Sequence, residues 1–330
     1  MIVEKLLKTG AVVALAVVLL SCQQEETPSA GVQLPSMPTD NVDSLRIEVV
    51  STKSWLITGG DALIDVLFPA TALGGSLHIS LNGIDVSADF RVSADAGRAR
   101  GLVTGLVNGE NLLEASIPDL NLKTEITLTN YPISGPIISG PHEQPFYCQT
   151  EQFVLVTGEQ LGPAQDTNCS ATTRVDYVYF SATENVFKHY EAAITGTEPD
   201  DMARVTTLDG RSVPFIVRVE TGTVNRAIYE IAMLHSPHQE SEPSPWNQSA
   251  GWNGKLIFTH GGGCRRGWYQ QGIETGGVLE EGLLQMGYAL VSSTLNRFGQ
   301  NCNDLLASET HIMVKERFIE RYGEPVYTIA

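Results

Sequence analysis

The last 76 residues alternate between two hydrophobic periods, and this constrains the fold more than any other feature. "KLIFTH" (255–260) is a short apolar run. "VLEEGLLQMG" (278–287) places Leu279, Leu283 and Met286 at helical spacing. "YALVSSTLN" (288–296) reads as a strand again. "SETHIMVKERFIERYG" (308–323) is predicted to be a helix, with Ser308 as N-cap and Val314, Phe318 and Tyr322 on one face. Gly323 and Pro325 stop it, and "VYTIA" (326–330) is a final strand. Strand, helix, strand, helix, strand predicts a parallel sheet with right-handed crossovers.

The rest of the chain divides by composition. Lys5 and Lys8 precede the uncharged apolar core "AVVALAVVLL", too short for a comfortable membrane span. "LLSC" follows, so residues 1–21 read as a lipoprotein signal peptide and Cys22 as the lipidated first residue of an exported protein. Gln23 is not the aspartate that often retains lipoproteins at the inner membrane, so the outer membrane is the expected location. Residues 22–44 are polar and read as a flexible tether. From 45 to 131, short alternating segments such as "LHISL" are separated by turn signals, including Asn82-Gly83 and Asn108-Gly109. They predict a β-sandwich of immunoglobulin-like architecture. "YPISGPIISGP" sits around a linker at 132–143, and the second domain covers 144–330. Within it, 214–219 and 226–234 form a predicted hairpin around "ETGTVN".

The net charge of −17 argues against nucleic-acid partners, which call for a basic face. No phosphate-binding G-x-x-x-x-G-K-[ST] occurs, and no cofactor is implied. Four cysteines remain after Cys22. An even count in an exported chain predicts two disulfides, for which three pairings exist. Cys148–Cys169 and Cys264–Cys302 are favoured, because Cys264 and Cys302 lie in loops after neighbouring parallel strands.

The chemistry-bearing motif is His260-Gly261-Gly262-Gly263 at the end of the first of these strands. In α/β-hydrolases an HGGG-type loop follows the third strand and turns backbone N–H groups toward an oxyanion. Glycine is needed because two amides must converge on one oxygen with no Cβ in the way. Gly261 and Gly262 are the expected donors, and His260 is expected to position the loop. The nucleophile elbow, G-x-S-x-G, does not occur in the 330 residues. Ser76, Ser249, Ser292 and Ser293 lack its context. His311 reads as part of a helix N-terminus, Arg265 and Arg266 as solvated charges, and a His260–Cys264 metal pair is disfavoured by the disulfide.

Taken as a set, "LITGGDALIDV", "SLNGIDVSADF", "GLVTGLVNGENLLEA", "NYPISGPIISGPHEQPFYCQT", "AMLHSP", "WNGKLIFTHGGGC" and "YGEPVYTIA" resemble a family of exported bacterial proteins with a domain of unknown function. That family is distantly similar to α/β-hydrolases such as tannases and hydroxybutyrate-oligomer hydrolases. Its members continue past "VYTIA" into a glycine- and serine-rich elbow. The resemblance therefore implies that these residues are the N-terminal part of a longer protein. The expected fold is an immunoglobulin-like β-sandwich followed by an incomplete α/β-hydrolase-like domain. The expected function is hydrolysis of a small or oligomeric ester by the longer form, with this stretch inactive alone. The alternative is a non-catalytic surface binding lipoprotein with an inactive hydrolase fold.

Overall fold

The computed structural model describes residues 44–330 except 73–74, 94–96, 192–195 and 265–269. The predicted leader, nearly all of the tether, Cys22, Arg265 and Arg266 lie outside the described residues.

Among the described residues, nine strands build the N-terminal part: β1 (Arg46–Val49), β2 (Ile57–Thr58), β3 (Ala62–Leu67), β4 (His78–Leu81), β5 (Ile84–Asp85), β6 (Phe90–Ser93), β7 (Arg98–Val103), β8 (Gly109–Ile117) and β9 (Leu122–Tyr131). They form one sheet in the order β1-β3-β7-β6 and another in the order β2-β9-β8-β4-β5. Ile64, Val66 and Val103 from the first sheet share a single apolar core with Ile79, Leu113 and Leu128 from the second. The alternation in β4 holds: Ile79 and Leu81 are buried, and His78 faces solvent. Asn82 and Gly83 both take positive φ (50° and 81°) and close the β4–β5 turn.

The C-terminal part is a mixed sheet. Its strands are β10 (Arg174–Ser181), β11 (Val186–His189), β14 (Ile216–Val224), β15 (Ala227–Leu234), β16 (Lys255–Phe258), β17 (Ala289–Ser293) and β18 (Tyr327–Ile329); β12 (Arg204–Thr206) and β13 (Ser212–Pro214) make a separate ribbon. The order is β11-β10-β14-β15-β17-β16-β18. The predicted strand–helix alternation is present. β16 lies between β17 and β18 and is parallel to both. Helix α1 (Glu281–Gln285) connects β16 to β17, and α2 (Asp304–Tyr322) connects β17 to β18.

Three details differ from the sequence reading. The predicted hairpin has a tighter turn: Asn225 and Arg226 alone make it, both at positive φ, so β14 runs through "ETGTV" as well and pairs antiparallel with β15. The first helix shrinks to five residues, with Leu284 buried and Met286 exposed. The second helix starts five residues earlier than expected. Asn303 is its cap, accepting from the Leu305 and Leu306 amides at 3.1 Å, while Ser308 donates to the Asp304 carbonyl. His311 therefore lies inside α2 and not at its start.

α2 joins the two parts. Val314, Phe318 and Tyr322 are buried as predicted, in a core that also takes Leu63 from β3 and Leu256 from β16. A second face carries Glu309, Glu316 and Glu320, all buried. Segment 131–141 lies along this helix and is held there by hydrogen bonds to Glu309.

Candidate functional site

Thr259 to Cys264 leave the C-terminal end of β16. The segment is fixed at its base by side chains from neighbouring elements. Thr259 donates its amide to the Val291 carbonyl (2.9 Å) and its hydroxyl to the Gly277 carbonyl (2.6 Å). The Ser292 hydroxyl donates to the Thr259 carbonyl (2.8 Å) and accepts from the Gly276 amide (2.7 Å). Gly276 passes so close that a Cβ there would stand 2.8 Å from the His260 nitrogen and from the Thr259 carbonyl group. Ser292 is thus a structural cross-link, and so is Ser293, which donates to Asn296 at 2.5 Å. Ser249 is buried and donates to the Leu234 carbonyl.

Along the loop the glycines differ in what they do. The Gly261 amide donates to the Asn296 carbonyl at 3.3 Å, and its carbonyl accepts from Phe298 at 2.8 Å. Arg297 crosses directly over it, where any Cβ would collide with the arginine side chain. Gly262 and Gly263 are exposed, and their amides donate to no backbone carbonyl among the described residues. Gly263 sits at φ 105°, which an L side chain rarely adopts. Cys264 is disulfide-bonded to Cys302, with Cα atoms 5.2 Å apart, and Cys148 is bonded to Cys169 at 5.1 Å. Both favoured pairings are therefore present, and Cys264 is not available as a metal ligand.

A line of polar contacts runs behind the loop. Glu230 on β15 lies opposite Ser292 on β17. It accepts from the Thr275 hydroxyl at 2.5 Å. Burial pushes the Glu230 carboxyl above its usual range, and the Thr275 hydrogen bond only partly offsets this. The Thr275 carbonyl accepts from Arg297 at 3.2 Å, and Arg297 also pairs with Glu274 at 2.5 Å. Sequence reasoning missed this line. The signal for Glu230 was a lone acid inside the apolar run "RAIYEIAML"; Thr275 and Arg297 gave none.

His260 is exposed and belongs to a group of three rings. Its ring is stacked with Phe258 (centroids 5.2 Å) and parallel to that of His311 (5.8 Å, 5° between planes). Phe258 and His311 stack at 3.9 Å. Burial, with smaller contributions from His260 and Lys315, lowers His311 to about 4. His311 also lines a cleft of about 580 Å³ between α2, residues 50–56 and the free edge of β18.

The arrangement places exposed backbone amides on a glycine loop that is anchored below by Thr259 and Ser292 and at its far end by a disulfide. Such a loop can stabilise a developing oxyanion without a charged group. No curated protein matches the chain. Residues 47–330 match the tannase-like family of unknown function (DUF6351), and the chain belongs to that family.

Proposed function

We propose that this chain supplies the oxyanion-hole side of a carboxylic-ester hydrolase with an α/β-hydrolase fold, preceded by an immunoglobulin-like sandwich. The observation that carries the reading is the position of the glycine loop. It leaves the C-terminal end of β16, the central one of three parallel strands, so that the ends of β17 and β18 flank it. A nucleophile elbow entered from β18 would then face the loop. The tannase-like family supports an ester as the substrate class. Because G-x-S-x-G is absent from the 330 residues, the serine would come from outside them. Gly262 and Gly263 are the amides best placed to donate, since that of Gly261 is already engaged by Asn296.

Export and lipid anchoring at Cys22 complete the proposal. They rest on the leader pattern, and loss of palmitate labelling in Cys22→Ala tests them.

The test of activity uses the protein expressed from its complete reading frame on short acyl and aromatic esters. Removing the Gly262 donor with Gly262→Pro should lower kcat by about 100- to 1,000-fold. Gly262→Ala keeps the amide and should stay near wild type. Equal activity in the wild type and Gly262→Pro would count against the loop as an oxyanion site. Absence of hydrolysis in the complete protein would favour a binding lipoprotein.

A further inference from the structure

We propose that His311 is a positioning residue for the glycine loop, acting through Phe258 and His260. Its ring lies almost flat on Phe258, the last residue of β16, at 3.9 Å. Its plane is also nearly parallel to that of His260, the first residue of the motif, with centroids 5.8 Å apart. Stacking of this kind fixes a direction as well as a distance, because offset face-to-face rings lose contact when either rotates. His260 is exposed, and among the described residues its ring contacts are with Phe258 and His311, so this group adds to the Thr259 and Ser292 anchors in setting how the chain turns from β16 into Gly261–Gly263.

Burial, more than the ring contact itself, favours a neutral His311, because a charged ring there must regain water and is drawn away from Phe258. The charged and titratable groups around it are Lys315 one turn along α2, Lys53 and Glu324 in the same cleft, and His260. A protonated His311 would stand near Lys315 in a half-buried site, and Glu324, the carboxylate lining that cleft, is already paired with Arg100 at 3.1 Å. Acid should therefore loosen the loop before the fold is lost. For function, this rests on the oxyanion reading and gives the site a low-pH limit. For its test it does not, because the test reads loop order and not hydrolysis.

The experiment is hydrogen exchange by mass spectrometry of peptides covering residues 259–264, in wild type, His311→Ala and His311→Phe, at pH 7 and pH 3.5. Rates are corrected for intrinsic exchange, and near-UV circular dichroism confirms the fold. His311→Phe keeps an aromatic partner that cannot protonate. In His311→Ala the hydrogen-bonded amides of this stretch, Thr259 and Gly261, should exchange about tenfold faster at pH 7, the scale of one lost aromatic stack. Wild type should gain exchange at pH 3.5, and His311→Phe should remain protected at both pH values. Unchanged exchange in His311→Ala, or an acid response in His311→Phe equal to that of wild type, would overturn the proposal. Should His311→Ala fail to fold, the comparison of wild type with His311→Phe across pH decides alone. Ester hydrolysis measured separately on the complete protein shows whether the oxyanion reading itself stands.

Discussion

Ser139 donates both its amide and its hydroxyl to Glu309, at 2.7 and 2.9 Å. The same carboxylate accepts the amides of Ile137 and Ile138 at 2.8 and 2.6 Å. Four donors from one short stretch therefore converge on a fully buried glutamate of α2. What reads in sequence as a spacer is a clasp between the connector and the helix. Glu309→Ala would leave three amides without this acceptor. The expected loss is about 3–5 kcal/mol in denaturant unfolding, the range for breaking a buried charged partner. Glu309→Gln keeps one acceptor oxygen and should lose less. A loss in Glu309→Ala below about 1 kcal/mol would mean that the clasp is not coupled to folding.

Glu316 makes stability depend on pH in the opposite sense to most carboxylates. Burial pushes it up to about 8, against the hydrogen bonds from Thr58, and Asp61 adds to the rise. Glu320, one turn on, is also raised, by burial first and then by Glu316. Between the ordinary carboxylate range and about 8, the folded state holds a proton that the unfolded state has released. Stability should therefore be highest in mild acid and fall as pH rises through about 8, by up to a few kcal/mol. Glu316→Gln imitates the protonated form. It should flatten that slope in thermal unfolding, with a gain at pH 8–9 and little change at pH 5. A steeper slope in the variant would reverse the assignment.

Two glycines near the motif should respond differently to the same substitution. At Gly276 an added Cβ meets backbone at 2.8 Å, which cannot swing aside as a side chain could. Gly276→Ala should cost about 1–3 kcal/mol, the scale of overpacking. At Gly262 an added Cβ meets nothing within 4 Å. Gly262→Ala should change stability by less than about 0.5 kcal/mol. Chemical unfolding of the two variants side by side checks this, and equal effects would contradict the placement of the loop.

The Cys264–Cys302 bridge spans a sequence separation of 38, a stretch that contains β17 and the Gly276 and Ser292 that brace the base of the loop. Cross-links of this span contribute roughly 2–4 kcal/mol. Paired replacement of both cysteines by serine should lower stability by that amount and raise hydrogen exchange in 259–264. Non-reducing peptide mapping should recover Cys148 with Cys169 and Cys264 with Cys302. Any cross-pairing would exclude the disulfides described.

Much of this was legible in the sequence because it depends on local period and local chemistry. The alternation of Leu77, Ile79 and Leu81 marked a half-buried strand, and the spacing of Val314, Phe318 and Tyr322 marked the buried face of α2. The glycine motif could be placed because its neighbours alternate between strand and helix. The misses share a different origin. Glu309, Glu316 and Glu320 look like the solvated face of a helix, and only the tertiary placement of Thr58 and the 137–139 amides makes them buried. Asn303 outcompetes Ser308 as the cap because the helix continues back to Asp304, which the apolar spacing did not show. Arg297 and Thr275 reach Gly261 and Glu230 across strands, and no sequence spacing records that. His311 gains its meaning from Phe258, more than fifty positions away.

The most direct measurement of the central claim is labelling of the protein from its complete reading frame with a fluorophosphonate, followed by peptide mass spectrometry. A single serine should be modified, located after β18 in a glycine-flanked turn, with ester hydrolysis lost in step with labelling. Hydrolysis that continues after complete labelling, or a modified serine within residues 44–330, would contradict it.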